Sequence, residues 1–177
     1  ACMAASDAAR GEPGGPGAQL WNGRRWIPQL IPTPRGIVAY RRTAPVLDRL
    51  SCPAARRCVG FAYVQTGPSS EVELTATWNG RKWTSTVISV AGGFLSGISC
   101  PSTRACVAVG GDSANPLAAF WNGRTWALQT LPKPADEPSA SLYEVSCDTA
   151  SSCMALGSSG NEVSTILDNP LAERYQK

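Results

Sequence analysis

An all-β chain of repeated four-stranded antiparallel units is predicted by three observations. Trp-Asn-Gly-Arg-Xaa-Trp occurs three times, at residues 21–26, 78–83 and 121–126, and holds every tryptophan of the 177-residue chain. Ser-Cys recurs three times, with Cys52, Cys100 and Cys147 spaced 48 and 47 residues apart. No long stretch carries a helical period, whereas short alternating apolar runs bounded by Gly, Pro, Ser and Asn are frequent.

Cutting the chain before each Ser-Cys aligns three units. Each has Ser-Cys, five residues, a second cysteine (Cys58, Cys106, Cys153), an apolar run ending near Gly, a variable stretch and a strand-like segment, at 74–78, 117–121 and 171–175. The N-terminal portion is a further copy lacking its beginning, because Cys2-Met-Ala-Ala matches Cys153-Met-Ala-Leu and Ala18-Gln-Leu-Trp21 matches the segments ending at Trp78 and Trp121. The unit boundaries are 1–50 (an incomplete first copy plus connector), 51–98, 99–145 and 146–177 (an incomplete last copy), with a loop insertion around 32–45.

Within each unit the strands follow from alternation and turns. The runs at 59–64, 74–78, 84–88, 107–109 and 142–145 are β-type, and Asn-Gly at 22–23, 79–80 and 122–123 is a strong hairpin signal, since both central residues of a type I′ turn need positive φ. A complete unit therefore has four strands: one ending at Ser-Cys, one starting at the second cysteine, one ending at Trp and one after Asn-Gly. In a two-residue Asn-Gly hairpin, Trp21 faces Arg24 and Gln19 faces Trp26, so the two rings lie diagonally on one sheet face. Arg24 is then placed to lie over the Trp21 ring. Four-stranded units at this period are the blades of a β-propeller, about three and a half of them in this chain.

The cysteines fall as three close pairs, Cys52 with Cys58, Cys100 with Cys106 and Cys147 with Cys153, plus the orphan Cys2. They read as disulfides of an oxidising compartment. Thiolate pairs also ligate zinc, but CxxxxxC lacks the usual knuckle spacing and the chain has no histidine. Ala1-Cys2 has the form of a lipoprotein cleavage scar, yet Cys2 already has a place in the repeat. No signal peptide is present, so the expectation is that any such segment has been removed or omitted.

The combination of SCxxxxxC, Cys-Val-Ala-Val-Gly at 106–110, Leu-Ala-x-x-Trp-Asn-Gly-Arg-x-Trp and the terminal Leu-Ala-Glu-Arg-Tyr at 171–175 resembles the secreted β-propeller repeat proteins of high-GC Gram-positive (actinobacterial) type. The resemblance covers nearly the whole chain and implies fold and export, with no catalytic residues to carry over. The chain departs from the pattern at Tyr175, where Trp would stand, and in lacking a final hairpin. The strand count favours a fragment of a larger propeller with missing upstream blades; a half-propeller completed by a homodimer is the alternative.

Function is legible only by class. Up-and-down strands send the cysteine turn and the Asn-Gly turn to one, nearly constant end, and the variable loops at 7–17, 65–71, 111–116, 158–169, 32–45 and 132–141 to the other. Loops that vary on a repeated scaffold suit a binding surface; neutral drift is the plain alternative. The constant end collects Arg24, Arg25, Arg56, Arg57, Arg81, Lys82, Arg104 and Arg124, half of the sixteen basic residues, behind a net charge of only +3. Such a surface attracts anionic polymers, although export argues against nucleic acid; a solvated, charged turn surface that aids solubility is the ordinary alternative. Candidate ligand-binding residues are Trp21, Trp26, Trp78, Trp83, Trp121 and Trp126 with Arg24, Arg81 and Arg124; packing between sheets is the bland role of the rings.

Without histidine the common Ser-His-Asp, Cys-His and His-metal centres are unavailable. Glu71 with Glu73, and Asp136 with Glu137, lack a surrounding motif and read as loop charges rather than a glycosidase pair. The sequence thus points to a secreted, non-catalytic binding module for a protein or carbohydrate ligand, with no cofactor, no metal and no membrane span. The alternatives are the propeller part of a larger exported enzyme or receptor and, more weakly, a carboxylate-dependent glycoside hydrolase.

Overall fold

Every strand segment expected from the repeat is present in the computed structural model, which describes residues 2–5, 17–90, 92–160 and 169–176. Most of the variable stretches 7–17 and 158–169 lies outside the described residues. The strands are β1 (Cys2–Ala5), β2 (Ala18–Trp21), β3 (Trp26–Gln29), β4 (Val46–Ala54), β5 (Arg57–Gln65), β6 (Glu71–Trp78), β7 (Trp83–Val87), β8 (Phe94–Ser102), β9 (Ala105–Gly111), β10 (Pro116–Trp121), β11 (Trp126–Thr130), β12 (Ser139–Thr149), β13 (Ser152–Gly160) and β14 (Asn169–Gln176). Among the described residues the helical structure is a 3-10 turn at Tyr40–Arg42.

The strands form four antiparallel sheets in sequential order: sheet I is β1-β2-β3, sheet II β4-β5-β6-β7, sheet III β8-β9-β10-β11 and sheet IV β12-β13-β14. Among the described residues, sheet I has no strand outside β1 and sheet IV none outside β14, as the repeat alignment expects. The chain divides into two compact units, Ala1–Ser89 with sheets I and II and Val90–Lys177 with sheets III and IV.

Two details of the strands depart from the sequence reading. The first strand of each sheet that carries a disulfide runs through Ser-Cys instead of ending there, so that a two-residue turn at 55–56, 103–104 or 150–151 joins Ala54 to Arg57, Ser102 to Ala105 and Thr149 to Ser152. Glu71 and Glu73 are not loop charges but open β6.

Direct cross-strand partners share a sheet face, and this places one row of side chains across each sheet. In sheet II the row is Cys52, Cys58, Trp78, Trp83; in sheet III it is Cys100, Cys106, Trp121, Trp126. Sheet IV continues it with Cys147, Cys153 and Tyr175, and sheet I with Cys2, Trp21 and Trp26. We call the face carrying this row the row face and the opposite one the back face.

Within each unit the row face of the second sheet packs on the back face of the first. In the first unit Met3, Ala18 and Leu20 of sheet I's back face meet Leu47, Cys58, Ala62, Leu74, Ala76 and Trp78 of sheet II's row face. In the second, Val107, Val109 and Phe120 of sheet III meet Leu142, Val145, Cys153, Ala155 and Tyr175 of sheet IV, with the Phe120 and Tyr175 rings 5.2 Å apart. The Ser of Ser-Cys serves the same packing: Ser99 Oγ accepts a hydrogen bond from the Cys147 backbone N–H at 3.1 Å. A bulge recurs in each first strand, at 48, 96 and 143. Opposite the last of these, a Cβ on Gly157 would stand 1.9 Å from the Ser141 carbonyl oxygen, so the close approach of the strands requires glycine.

Candidate ligand cleft beside the second tryptophan hairpin

The three cysteine pairs are disulfides, Cys52–Cys58, Cys100–Cys106 and Cys147–Cys153, each with Cα atoms 4.0 Å apart on neighbouring strands. Cys2 occupies the equivalent row position in sheet I, opposite Trp21, and is free and exposed. The zinc alternative therefore falls for the six paired cysteines.

The tryptophan hairpins differ from the expected register. Trp21 faces Trp26, Trp78 faces Trp83 and Trp121 faces Trp126 directly. The Asn22 backbone N–H donates to the Arg25 carbonyl, as Asn79 does to Lys82 and Asn122 to Thr125, so Gly-Arg rather than Asn-Gly is the centre of the turn. Only the glycine has positive φ, 96° at Gly23, 92° at Gly80 and 95° at Gly123. This is the pattern of a turn with glycine at the first central position. Asn contributes its side chain instead: Asn79 Oδ1 accepts from the N–H groups of Arg81 and Lys82, both at 3.0 Å, and Asn22 and Asn122 do the same in the other two hairpins.

That register brings the rings of each pair together at 5.5, 5.7 and 5.4 Å with tilts of 50°, 45° and 43°. It also moves Arg24 out of the pair and into the turn, which removes the basis for an Arg24–Trp21 stack. A guanidinium does lie over a ring elsewhere, that of Arg41, 5.2 Å from the Tyr40 centroid.

Burial then sorts the six candidate tryptophans. Trp78 and Trp83 are buried, Trp21, Trp121 and Trp126 are half-buried, and Trp26 is 46% exposed. Trp78 is core packing. The cysteine turn and the glycine turn do share one end of the sheet: Gly80 lies against Arg56 and Gly123 against Arg104. The ion pair of Arg49 with Asp48, at 2.6 Å, lies outside the set of eight basic turn residues.

A broad concavity lies in the first unit, about 800 Å³ in volume. One wall is the connector between β3 and β4, including Leu30, Ile31, Ile37 and Val38, and the other is the end of the second tryptophan hairpin, Arg81, Lys82 and Trp83. This connector is the insertion expected at 32–45. It is held along β7 by a hydrogen bond from Ser85 Oγ to the Pro32 carbonyl, and its 3-10 turn places Arg41 and Arg42 at positive φ, 51° and 59°. Residues other than glycine rarely adopt that conformation, and it concentrates at sites where the surroundings impose it. Arg42 joins Arg81 and Lys82 on the cleft lining, and among the described residues no carboxylate lines it.

Trp83 Nε1 is buried without a hydrogen-bond partner among the described residues. A buried donor without an acceptor costs about 1–3 kcal/mol, so it asks for an explanation. The cleft thus combines apolar walls with three cations, whereas the Trp83 indole N–H is buried and not presented to the open cleft. Of the sequence candidates it gathers Arg81 and Trp83; Arg124, Trp121 and Trp126 belong to the second unit and take no part. Arg42 and Lys82 complete it. The tertiary route of the connector, which no spacing rule gives, is what brings Arg42 to the hairpin.

The glycosidase candidates do not converge there. Glu137 instead accepts a hydrogen bond from Asn169 Nδ2 through Oε1 at 2.6 Å, and its carbonyl accepts one from Lys133 Nζ. No protein-family model and no curated protein matches the chain.

Proposed function

We propose that the four sheets are propeller blades and that the chain is an exported, non-catalytic binding module whose cleft takes an acidic glycan. The fold reading is supported by sequential antiparallel sheets whose row and back faces stack in the same order in both units. Export is supported by three disulfides, which persist in oxidising compartments. Among the described residues no helix is long and apolar enough to cross a membrane.

The observation that carries the ligand class is the gathering of Arg42, Arg81 and Lys82 on an apolar-walled cleft that no carboxylate lines among the described residues. A sugar ring offers an apolar face to the walls and, when it bears a carboxylate or sulfate, charge to the cations. An acidic peptide shares the charge but not the flat apolar face of the sugar ring.

The test is binding to an array of acidic and neutral glycans, with Arg42→Ser/Arg81→Ser and Lys82→Ser as variants. Acidic glycans are expected to bind, more weakly as salt rises, with a loss of about tenfold or more in both variants. Binding that survives both substitutions, or a well-folded protein that binds no acidic glycan, overturns the proposal.

A further inference from the structure

Exposed large apolar side chains occur on several sheets, Val87 (48%), Phe94 (50%) and Leu128 (41%) on the outer strands β7, β8 and β11 among them. Where sheets stack within each unit the facing residues are buried: on the row face of sheet II Trp78 and Trp83 are 4% and 3% exposed, and on the back face of sheet III Val107 and Val109 are 5% and 2%. Val59 and Phe61 of sheet II's back face and Cys100 and Cys106 of sheet III's row face are buried as well. The row face of sheet I instead presents Cys2, Trp21 and Trp26, with Trp26 46% exposed. The back face of sheet IV presents Tyr143, Met154 and Leu156, at 46%, 44% and 56%. Met154 and Leu156 stand one and three residues after Cys153, where Val107 and Val109 stand after Cys106. They are the repeat equivalents of a buried pair.

We infer that the row face of sheet I docks on the back face of sheet IV in a second copy of the chain, head to tail. The chain itself twice shows how a row face is covered, by the back face of a neighbouring sheet, and sheets I and IV present one exposed surface of each kind. Both surfaces display large apolar side chains of the kind that mark interaction sites. Two different patches that fit each other make a heterologous contact, which closes into a ring or continues as a chain of subunits.

The equivalence also predicts which residues meet. In the first unit Met3 of the back face and Cys58 of the row face line one cleft of about 400 Å³. Met154 is the repeat equivalent of Met3, and Cys2 that of Cys58. Met154 of one copy is therefore set beside Cys2 of the next.

Three measurements test this. Sedimentation velocity at about 100 µM is expected to show association of the unaltered protein, weakened about tenfold or more by Trp26→Glu or Leu156→Glu alone. Mixing the two variants is expected to restore a heterodimer, because one intact row face and one intact back face remain. A short bismaleimide should link copies of Met154→Cys through Cys2 and should fail when Cys2→Ser is added; this readout does not depend on the tryptophan variant folding. A monomer throughout the concentration range, association that survives Leu156→Glu, or failure of the mixture to associate overturns the inference.

Discussion

Trp78 and Trp83 face each other across β6 and β7 with ring centroids 5.7 Å apart, and both are buried, while the same pair one repeat earlier leaves Trp26 46% exposed. One motif therefore has two energetic roles, set by whether another sheet lies over it. Trp78→Ala should cost about 3–5 kcal/mol. Trp26→Ala should cost about 1 kcal/mol or less in the monomer, because little buried area is lost. Urea denaturation of the two variants side by side measures the difference; equal costs would contradict the burial asymmetry.

The disulfides each close a short loop, with a sequence separation of 6. Chain entropy for such a loop amounts to about 2 kcal/mol, so Cys100→Ser/Cys106→Ser should lose about that much. Alkylation of the unreduced protein should add a single label, at Cys2, read by intact mass and peptide mapping. Labelling of all seven cysteines would reject the pairing.

Gly157 lies opposite the bulge at Tyr143, where a Cβ would meet the Ser141 carbonyl oxygen. Backbone cannot yield as a flexible side chain would. Gly157→Ala should therefore destabilise by about 3 kcal/mol, seen as a lower denaturation midpoint with an unchanged slope.

Asp112 repeats, at the opposite end of sheet III, the side-chain cap that Asn makes in the hairpins. Its Oδ1 accepts from the N–H groups of Ala114 and Asn115, both at 2.7 Å, and the bond from Ala114, then that from Asn115, holds its carboxyl below the ordinary value of 3.8. A pKa depressed by folding gives stability that is present above the unfolded value and lost as pH falls through the folded one. The turn should thus weaken only on acidification below about pH 4. Asp112→Asn, which keeps the acceptor and does not titrate, should remove this dependence. NMR titration of the Ala114 and Asn115 amides in both proteins checks it.

Much of the fold is legible in the sequence because the repeat is regular. Short alternating runs between Gly, Pro and Asn locate the strands, and equal cysteine spacing pairs the thiols. The hairpin register is not legible in the same way: Asn-Gly signals a type I′ turn by statistics, whereas here the Asn side chain takes the two N–H groups and glycine alone turns the chain. The cleft is half legible, since Arg81 and Trp83 belong to the motif but Arg42 lies in an insertion with no repeat partner.

The sequence by itself determined what depends on neighbours along the chain: strand positions, the cysteine pairs six residues apart, the turn glycines and the placing of each motif's two tryptophans on one sheet face. Only the tertiary structure decided which of those faces is covered. Alternation says which residues share a face, but burial depends on whether a second sheet stacks upon it. That is why Trp78 and Trp83 are core and Trp26, with the same motif around it, is surface.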